Sequence, residues 1–210
     1  HAAINGEWYW EYSENKLNQI DDAEAIRDHM LRAIFGSFSN AKKNPKYAPN
    51  RLAWVAYVGG KRESRRIMGD HIYDMHDAVE RREFSDAVVV EKREVDGHFQ
   101  RKLKGSKQDF LSAAMFRHTG GHYYIPFRSF YSRNLSNLMM AGRCFSCTHV
   151  GLCGPRVMNT CGQMGIATGF AAALCKKHNA NPREIGKSHI SELRNLIGFD
   201  GSKPLGNPSK

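Results

Sequence analysis

LMMAGRCFSCTHVGLCGPRVMNTCGQMGIATGFAAALC, residues 138–175, changes character twice along its length. Leu138 to Ala141 is a short apolar run and predicts a buried strand; Gly142 to Pro155 is a Gly/Cys/Ser loop; Val157 to Lys177 predicts a helix of small residues. An interior glycine costs a helix about 1 kcal/mol relative to alanine, so Gly162, Gly165 and Gly169 together withhold roughly 3 kcal/mol. That cost is expected where a cofactor or a tightly packed sheet must approach the backbone.

The order NLMMAGR, CFSCTH and RVMNTCGQMGIATGFAAALC resembles the C-terminal end of FAD-dependent oxidoreductases of the glutathione-reductase-like flavoprotein superfamily. In that family a closing strand of the flavin domain ends in Ala-Gly-Asp/Arg, and the next helix aims its N-terminus at the flavin. The resemblance continues in WVAYVGGKRESRRIMGDHI (Trp54 to Ile72), in YYIPFRSFYSRNLSNLMMAGR (Tyr123 to Arg143) and in WYWEY near the start. Together these segments cover about two thirds of the chain in the family's order. The resemblance implies an α+β fold: a mainly antiparallel substrate-domain sheet with flanking helices over 1–136, then the last strand and helix of a Rossmann-like FAD-binding domain over 137–197. Residues 198–210, rich in Gly, Pro, Ser and Lys, are expected to form a flexible tail.

One motif is missing. Such enzymes hold the ADP half of FAD on a strand, a Gly-x-Gly-x-x-Gly turn and a helix start, with an acidic residue about 20 positions later. Here Gly59-Gly60 runs into Lys61-Arg62 and Gly120-Gly121 into His122-Tyr123, so the N-terminal dinucleotide-binding βαβ unit is absent from the sequence. With His1 opening the chain, the expectation is a C-terminal portion of a longer flavoprotein whose missing N-terminal FAD-binding portion is a partner. Alone, the portion is expected to be inactive.

A chain of 210 residues with 41% hydrophobic and 25% charged residues suits a globular protein with one substantial core. No apolar run approaches a membrane span, so no membrane partner is expected. Lys plus Arg number 31 against 21 Asp plus Glu, a net charge of +10. The cations lie in scattered clusters at 42–43, 61–66, 81–82, 101–107 and 176–177 with acids interleaved, and no nucleic-acid-binding motif accompanies them. An anionic cofactor or carboxylated substrate accounts for such charge as readily as a nucleic acid.

Five cysteines, at 144, 147, 153, 161 and 175, offer enough ligands for zinc or an iron–sulfur centre, and Cys144-x-x-Cys147 could be a redox pair. Only one Cys-x-x-Cys is present, and Cys161 falls inside the predicted helix, which favours buried small thiols and no metal. Among ten histidines none has metal-ligand spacing; His71 and His76 lack the Glu of a zinc helix. A nucleophile-elbow Gly-x-Ser-x-Gly is also absent, so hydrolase chemistry has no support.

Elsewhere, Gly6 to Tyr12 predicts an aromatic strand. Asp21 and Glu24 read as a capping box for a helix over Asp22 to Phe35, ended by Gly36. Ser37 to Asn50 reads as a loop, Arg51 to Val58 and Asp86 to Lys92 as strands, Gly97 to Ser112 as a polar loop, and Tyr123 to Phe127 as a strand. Asn181-Pro182 caps a turn, and Ser188 to Ile197 is an amphipathic helix.

The candidate site follows from these placements. A helix N-terminus carries about half a positive charge and unpaired N–H groups, which suits the electron-rich edge of a reduced flavin. The resemblance therefore implies cofactor contacts at Gly142, Arg143, Arg156, Val157, Met158 and Thr160, with Asn159 as a further donor. Arg156 opposes the helix dipole, which favours an anionic partner there. His149 is the candidate proton carrier. Arg62, on an alternating charged run, and Arg128 are candidates to meet an anionic group of the substrate or flavin. The implied activity is two-electron oxidation or reduction of a small-molecule substrate, a carbohydrate-derived alcohol or a carboxylate, with FAD as cofactor. The rival readings are a non-catalytic binding or assembly domain retaining the fold and a Cys-based metal or redox module. Oligomeric state and compartment are not legible.

Overall fold

A computed structural model describes residues 11–12, 16–102 and 109–205, with side chains at 100–113 left aside. The chain divides into two compact units, residues 1–64 with 98–115 and residues 65–97 with 116–210. The architecture is α+β, with helices around small two-stranded sheets.

In the first unit the helix α1 spans Ala23–Ala41. Its N-cap is Asp22, whose carboxylate accepts the Asn18 N–H at 2.8 Å and leaves the helix without a side-chain cap. The Asp21/Glu24 capping box is therefore not formed. The helix also runs through Gly36 to Ala41, six residues beyond its expected end at Phe35, because a single exposed glycine weakens a helix without breaking it. Residues 51–58 form no strand. There, Tyr57 lies under the Arg27 guanidinium, 4.7 Å from its ring centroid. Most of the expected aromatic strand over residues 6–12 lies outside the described residues.

The second unit holds the core. Its first helix, α2 (Met75–Val79), starts on a capping box in which Asp74 and Asp77 satisfy each other's backbone N–H groups. The strand β1 (Ala87–Glu91) follows, buried at all five positions, so both its faces are covered and AVVVE shows no alternation. Strands β2 (Val95–Lys102) and β3 (Asp109–Arg117) pair with each other where a polar loop was expected. This stretch passes from the second unit into the first and back. Its scattered cations hide the alternation that betrays a strand.

Strand β4 (Tyr123–Pro126) pairs antiparallel with β1, in the register Val89↔Ile125 and Glu91↔Tyr123, with an irregularity between Ala87 and Val89. A 3-10 turn at Phe127–Ser129 closes it. Leu138 to Ala141 makes only a single bridge, Tyr131↔Met139, and Gly142–Cys144 forms a second 3-10 turn. The expected closing strand is thus reduced to one pairing. The short helix α3 (His149–Leu152) is capped by Thr148.

Helix α4 (Met158–His178) is the longest element of the core. It buries Thr160, Gln163, Met164, Ala167, Ala171 and Leu174, at helical spacing. Gly162, Gly165 and Gly169 lie on the exposed side, where a Cβ would meet no atom within 4 Å. No described residue therefore requires their lack of side chains. Asn179 ends α4 in the left-handed region at φ 49°, and Asn181 and Glu184 form a capping box for α5 (Pro182–Ser188). Helix α6 (Ile190–Ile197) buries Leu193 and ends at Gly198, φ 66°. Beyond it, where composition predicts a flexible tail, the chain turns back. The Tyr124 hydroxyl donates to the Gly201 carbonyl and Leu205 is buried.

Two carboxylates tie this unit together and make it acid-sensitive. Asp70 takes two bonds from Arg183, at 2.6 and 2.8 Å, and this guanidinium holds its pKa below the ordinary range. Burial alone would raise Asp77, but bonds from His71 Nε2 (2.6 Å) and the Asp74 N–H, with the charge of Arg82, outweigh burial and hold it low. A depressed folded pKa contributes stability that is complete above the unfolded value of about 4 and drains as pH falls through the folded value. Denaturant midpoints are expected to fall on acidification below about pH 4, and less steeply in Asp77→Asn. A midpoint as acid-sensitive in the variant as in the wild type would contradict this assignment.

Candidate functional site

The leading end of α4 is where sequence, backbone and surface converge. Val157 is the N-cap with extended backbone (ψ 155°), and no described side chain caps the helix. The first intrahelical bond runs from Cys161 N–H to the Val157 carbonyl, so the amides of Met158 and Asn159 have no partner within the helix. Met158 is 91% exposed. Val157, Met158 and Asn159 line an open cleft of about 690 Å³ together with Glu91, Lys92, Arg93, Glu94, Asp96 and Phe116.

The first turn of α4 is positioned from beneath. Thr160 is fully buried and its hydroxyl donates to the Glu91 carboxylate at the end of β1. The other Glu91 oxygen accepts the N–H groups of Lys92 (2.8 Å) and Arg93 (3.0 Å), which folds the chain sharply after β1 and brings Lys92 and Arg93 to the cleft wall. Arg156 donates to both the carbonyl and the carboxylate of Asp96, at 3.1 and 3.0 Å. The anionic partner that its position beside the dipole asks for includes this protein carboxylate. Thr160 and Arg156 thus hold the first turn of α4 against the carboxylates of Glu91 and Asp96.

Gly142 and Arg143 do come to this end. A Cβ at Gly142, whose φ is +74°, would lie 3.9 Å from the Cys161 side chain in the first turn of α4. The positive charge of Arg143 is felt at the same thiol, whose pKa burial nevertheless raises. The Ala-Gly-Arg corner and the α4 start therefore form one feature.

Of the three candidate catalytic residues, Arg128 stands away from this feature. Arg128 sits at the opposite end of β1: its N–H donates to Asp86 at 3.0 Å, its guanidinium lies 3.5 Å from the same carboxylate, and it stands 5.5 Å from the centroid of the Phe84 ring. With about 3.3 Å of rise per strand residue, Asp86 and Glu91 are roughly 16 Å apart. His149 opens α3 with its side chain exposed. Arg62 belongs to the first unit, where it pairs with Glu11 at 3.1 Å. The extended run that was to align it forms no strand.

Two residues at this end were not singled out from the sequence. Glu91 follows a valine run and Asp96 is the second residue of β2, and each reads locally as an ordinary strand-end acid. Their roles depend on partners 69 and 60 positions away. None of the five cysteines is in a disulfide; Cys147 and Cys153 are buried, Cys161 and Cys175 half-buried and Cys144 exposed, and among the described residues no three of them gather as a ligand set.

Comparison with known proteins gives one positive result. The sequence model of the family described as FAD dependent oxidoreductase matches residues 2–197. No curated protein and no solved structure matches the chain.

Proposed function

The chain belongs to the FAD-dependent oxidoreductase family, and from that premise we propose that the leading end of α4 holds the flavin of an enzyme acting on a small organic substrate. FAD is the family's cofactor, and when bound it supplies two-electron redox chemistry. The observation that carries the proposal is the uncapped start of α4, with its amides opening onto a cleft.

The residues fit an electron-rich ring system. The Met158 and Asn159 amides point along the dipole, Asn159 adds a side-chain donor, and Lys92 and Arg93 on the wall offset the carboxylates of Glu91, Glu94 and Asp96. Gly142 supplies the left-handed φ of +74° that the Ala-Gly-Arg corner needs beside the helix, and Arg143 adds charge there. Thr160 and Arg156 keep the turn rigid through Glu91 and Asp96. Exposed His149 is assigned the proton exchanged with the substrate. Arg128 is left without a role at this end of the fold, and Arg62 is kept as the candidate to meet an anionic group of the substrate. No Gly-x-Gly-x-x-Gly turn occurs in the sequence, so the ADP half is assigned to a dinucleotide-binding element outside these 210 residues.

The test is Met158→Glu in the FAD-loaded protein. A carboxylate in the first turn favours the helix by about 0.5 kcal/mol, yet opposes negative charge on the flavin. Stability is expected to rise slightly while affinity for reduced flavin falls by about fivefold, the worth of ~1 kcal/mol at a helix terminus. Raised stability with unchanged flavin affinity would remove the flavin from this end of α4.

A further inference from the structure

His178, His189 and Glu192 lie far from the cleft's residues in the sequence and take no part in the proposed chemistry. His178 is the last residue of α4, His189 is the N-cap of α6, and Glu192 stands in the first turn of α6. The two imidazoles stack nearly parallel, with centroids 3.9 Å apart and planes at 16°. One carboxylate oxygen, Glu192 Oε2, lies 2.8 Å from His178 Nε2 and 3.8 Å from His189 Nδ1. The three donor atoms all lie within 4.8 Å of one another. Each side chain is about a quarter to a third exposed, so solvent reaches the group.

We infer that these three residues form a binding site for a divalent transition-metal cation of the zinc type. Two imidazole nitrogens and one carboxylate oxygen are the donors such an ion prefers, and three protein ligands leave a fourth position for water. With bonds of about 2.0–2.2 Å in a tetrahedron, neighbouring ligand atoms sit about 3.3 Å apart. The 2.8 and 3.8 Å separations from Glu192 Oε2 bracket that value, and to complete the set the His189 ring has to turn out of its stack on His178 so that both lone pairs meet at the ion. His189 and Glu192 are three residues apart on one helical turn, the spacing at which two ligands share a face.

Two other features bear on the site. The carboxylate is held ionised, by bonds from Lys177 first and His178 second. Lys177 occupies the other oxygen, Oε1, at 2.7 Å, and because its side chain is 64% exposed it can swing into water when a cation arrives. The bound ion would fasten the C-terminal end of α4 to the start of α6. Neither His-x10-His nor His-x2-Glu is a recognised zinc spacing; the turn through α5 brings the ligands together.

The experiment is equilibrium dialysis of the 210-residue chain against Zn(II), with Co(II) spectra in parallel. One ion per chain is expected, with a Co(II) d–d spectrum lacking thiolate charge transfer. His178→Gln, His189→Gln and Glu192→Gln are each expected to weaken binding by roughly tenfold or more. Zn(II) should raise the melting temperature of the wild type and not of the variants, whose far-UV circular dichroism without metal should match the wild type. Absence of a bound ion, equal binding by all three variants, or a thiolate band in the Co(II) spectrum would overturn the site. None of these readouts involves flavin, so failure here leaves the cofactor assignment untouched.

Discussion

Gly151→Ala is expected to destabilise the protein by about 3 kcal/mol, the upper end of the range for overpacking a well-filled interior. Gly151 lies in α3, where a Cβ would sit 2.4 Å from the Tyr73 carbonyl oxygen, 2.8 Å from Asp74 Cα and 3.0 Å from Thr148 Oγ1. The nearest two are backbone atoms, which cannot rotate aside. The Tyr73 oxygen also accepts the Thr148 N–H at 2.8 Å, while the Thr148 hydroxyl caps α3 by accepting the Gly151 N–H at 3.0 Å. A methyl group inserted there must break that pairing or slide α3 away from the start of α2. Gly165→Ala is the control: the same chemical change in α4 meets no atom within 4 Å and is expected to raise stability by about 1 kcal/mol. Denaturant unfolding of the two variants separates the effects by sign. Equal midpoints would show that the contact at Gly151 does not carry the stated strain.

Gln163→Leu is expected to cost about 3 kcal/mol or more, although leucine is similar in size and a better helix former. Gln163 is 1% exposed on the inner face of α4, and its amide reads the backbone of β1 as a neighbouring strand would. Nε2 donates to the Val90 carbonyl at 3.0 Å, while Oε1 accepts the Val90 N–H at 3.4 Å and the Leu205 N–H at 3.1 Å. Leucine would leave three backbone groups unsatisfied at a buried position, each worth about 1–3 kcal/mol. The Leu205 bond also fastens the segment after α6, so backbone amide exchange near Leu205 is expected to speed up together with that at Val90. A variant with wild-type stability and unchanged protection at both positions would refute this reading.

Much of the framework was legible because its signals are local. The AVVVE run announced β1, the apolar spacing of Ile190, Leu193, Leu196 and Ile197 announced α6, although Leu196 is exposed, and the small residues after Pro155 announced α4 to within a residue at each end. The family resemblance rested on the same passage, and the family match over residues 2–197 supports it as far as FAD-dependent oxidoreductase. Other expectations failed for equally physical reasons. Residues 51–58 alternate well enough for a strand but form none, since β-propensity has effect only where a partner strand and a covered face exist. Residues 97–112 looked like a loop because their cations mask the alternation, yet parts of them pair as β2 and β3. Composition marked the segment after Ile197 as a tail, although one buried glutamine and one tyrosine hydroxyl hold it as far as Leu205.

Among site residues the division falls the same way. Gly142, Arg143, Val157 and Met158 came from a contiguous passage, and the chain between corner and helix, α3 included, folds back so that Gly142 comes against Cys161 in the first turn of α4. Arg128 was inferred from its neighbourhood in the sequence, and β1 separates it from the helix start by its own length. Glu91 beneath Thr160, Asp96 on Arg156, and the His178, His189 and Glu192 cluster are pairings between elements.

The sequence alone determined β1, α4 and α6, where α5 is capped, and which family the chain resembles. Hydrophobic period, capping chemistry and glycine placement act over a few residues and can be read in order along the chain. The tertiary structure alone decided which polar groups become partners: Gln163 with Val90, Arg156 with Asp96, and two imidazoles with one carboxylate. Such pairings are chosen by how the elements pack, when a buried donor or acceptor must take whichever group the packing places within about 3 Å.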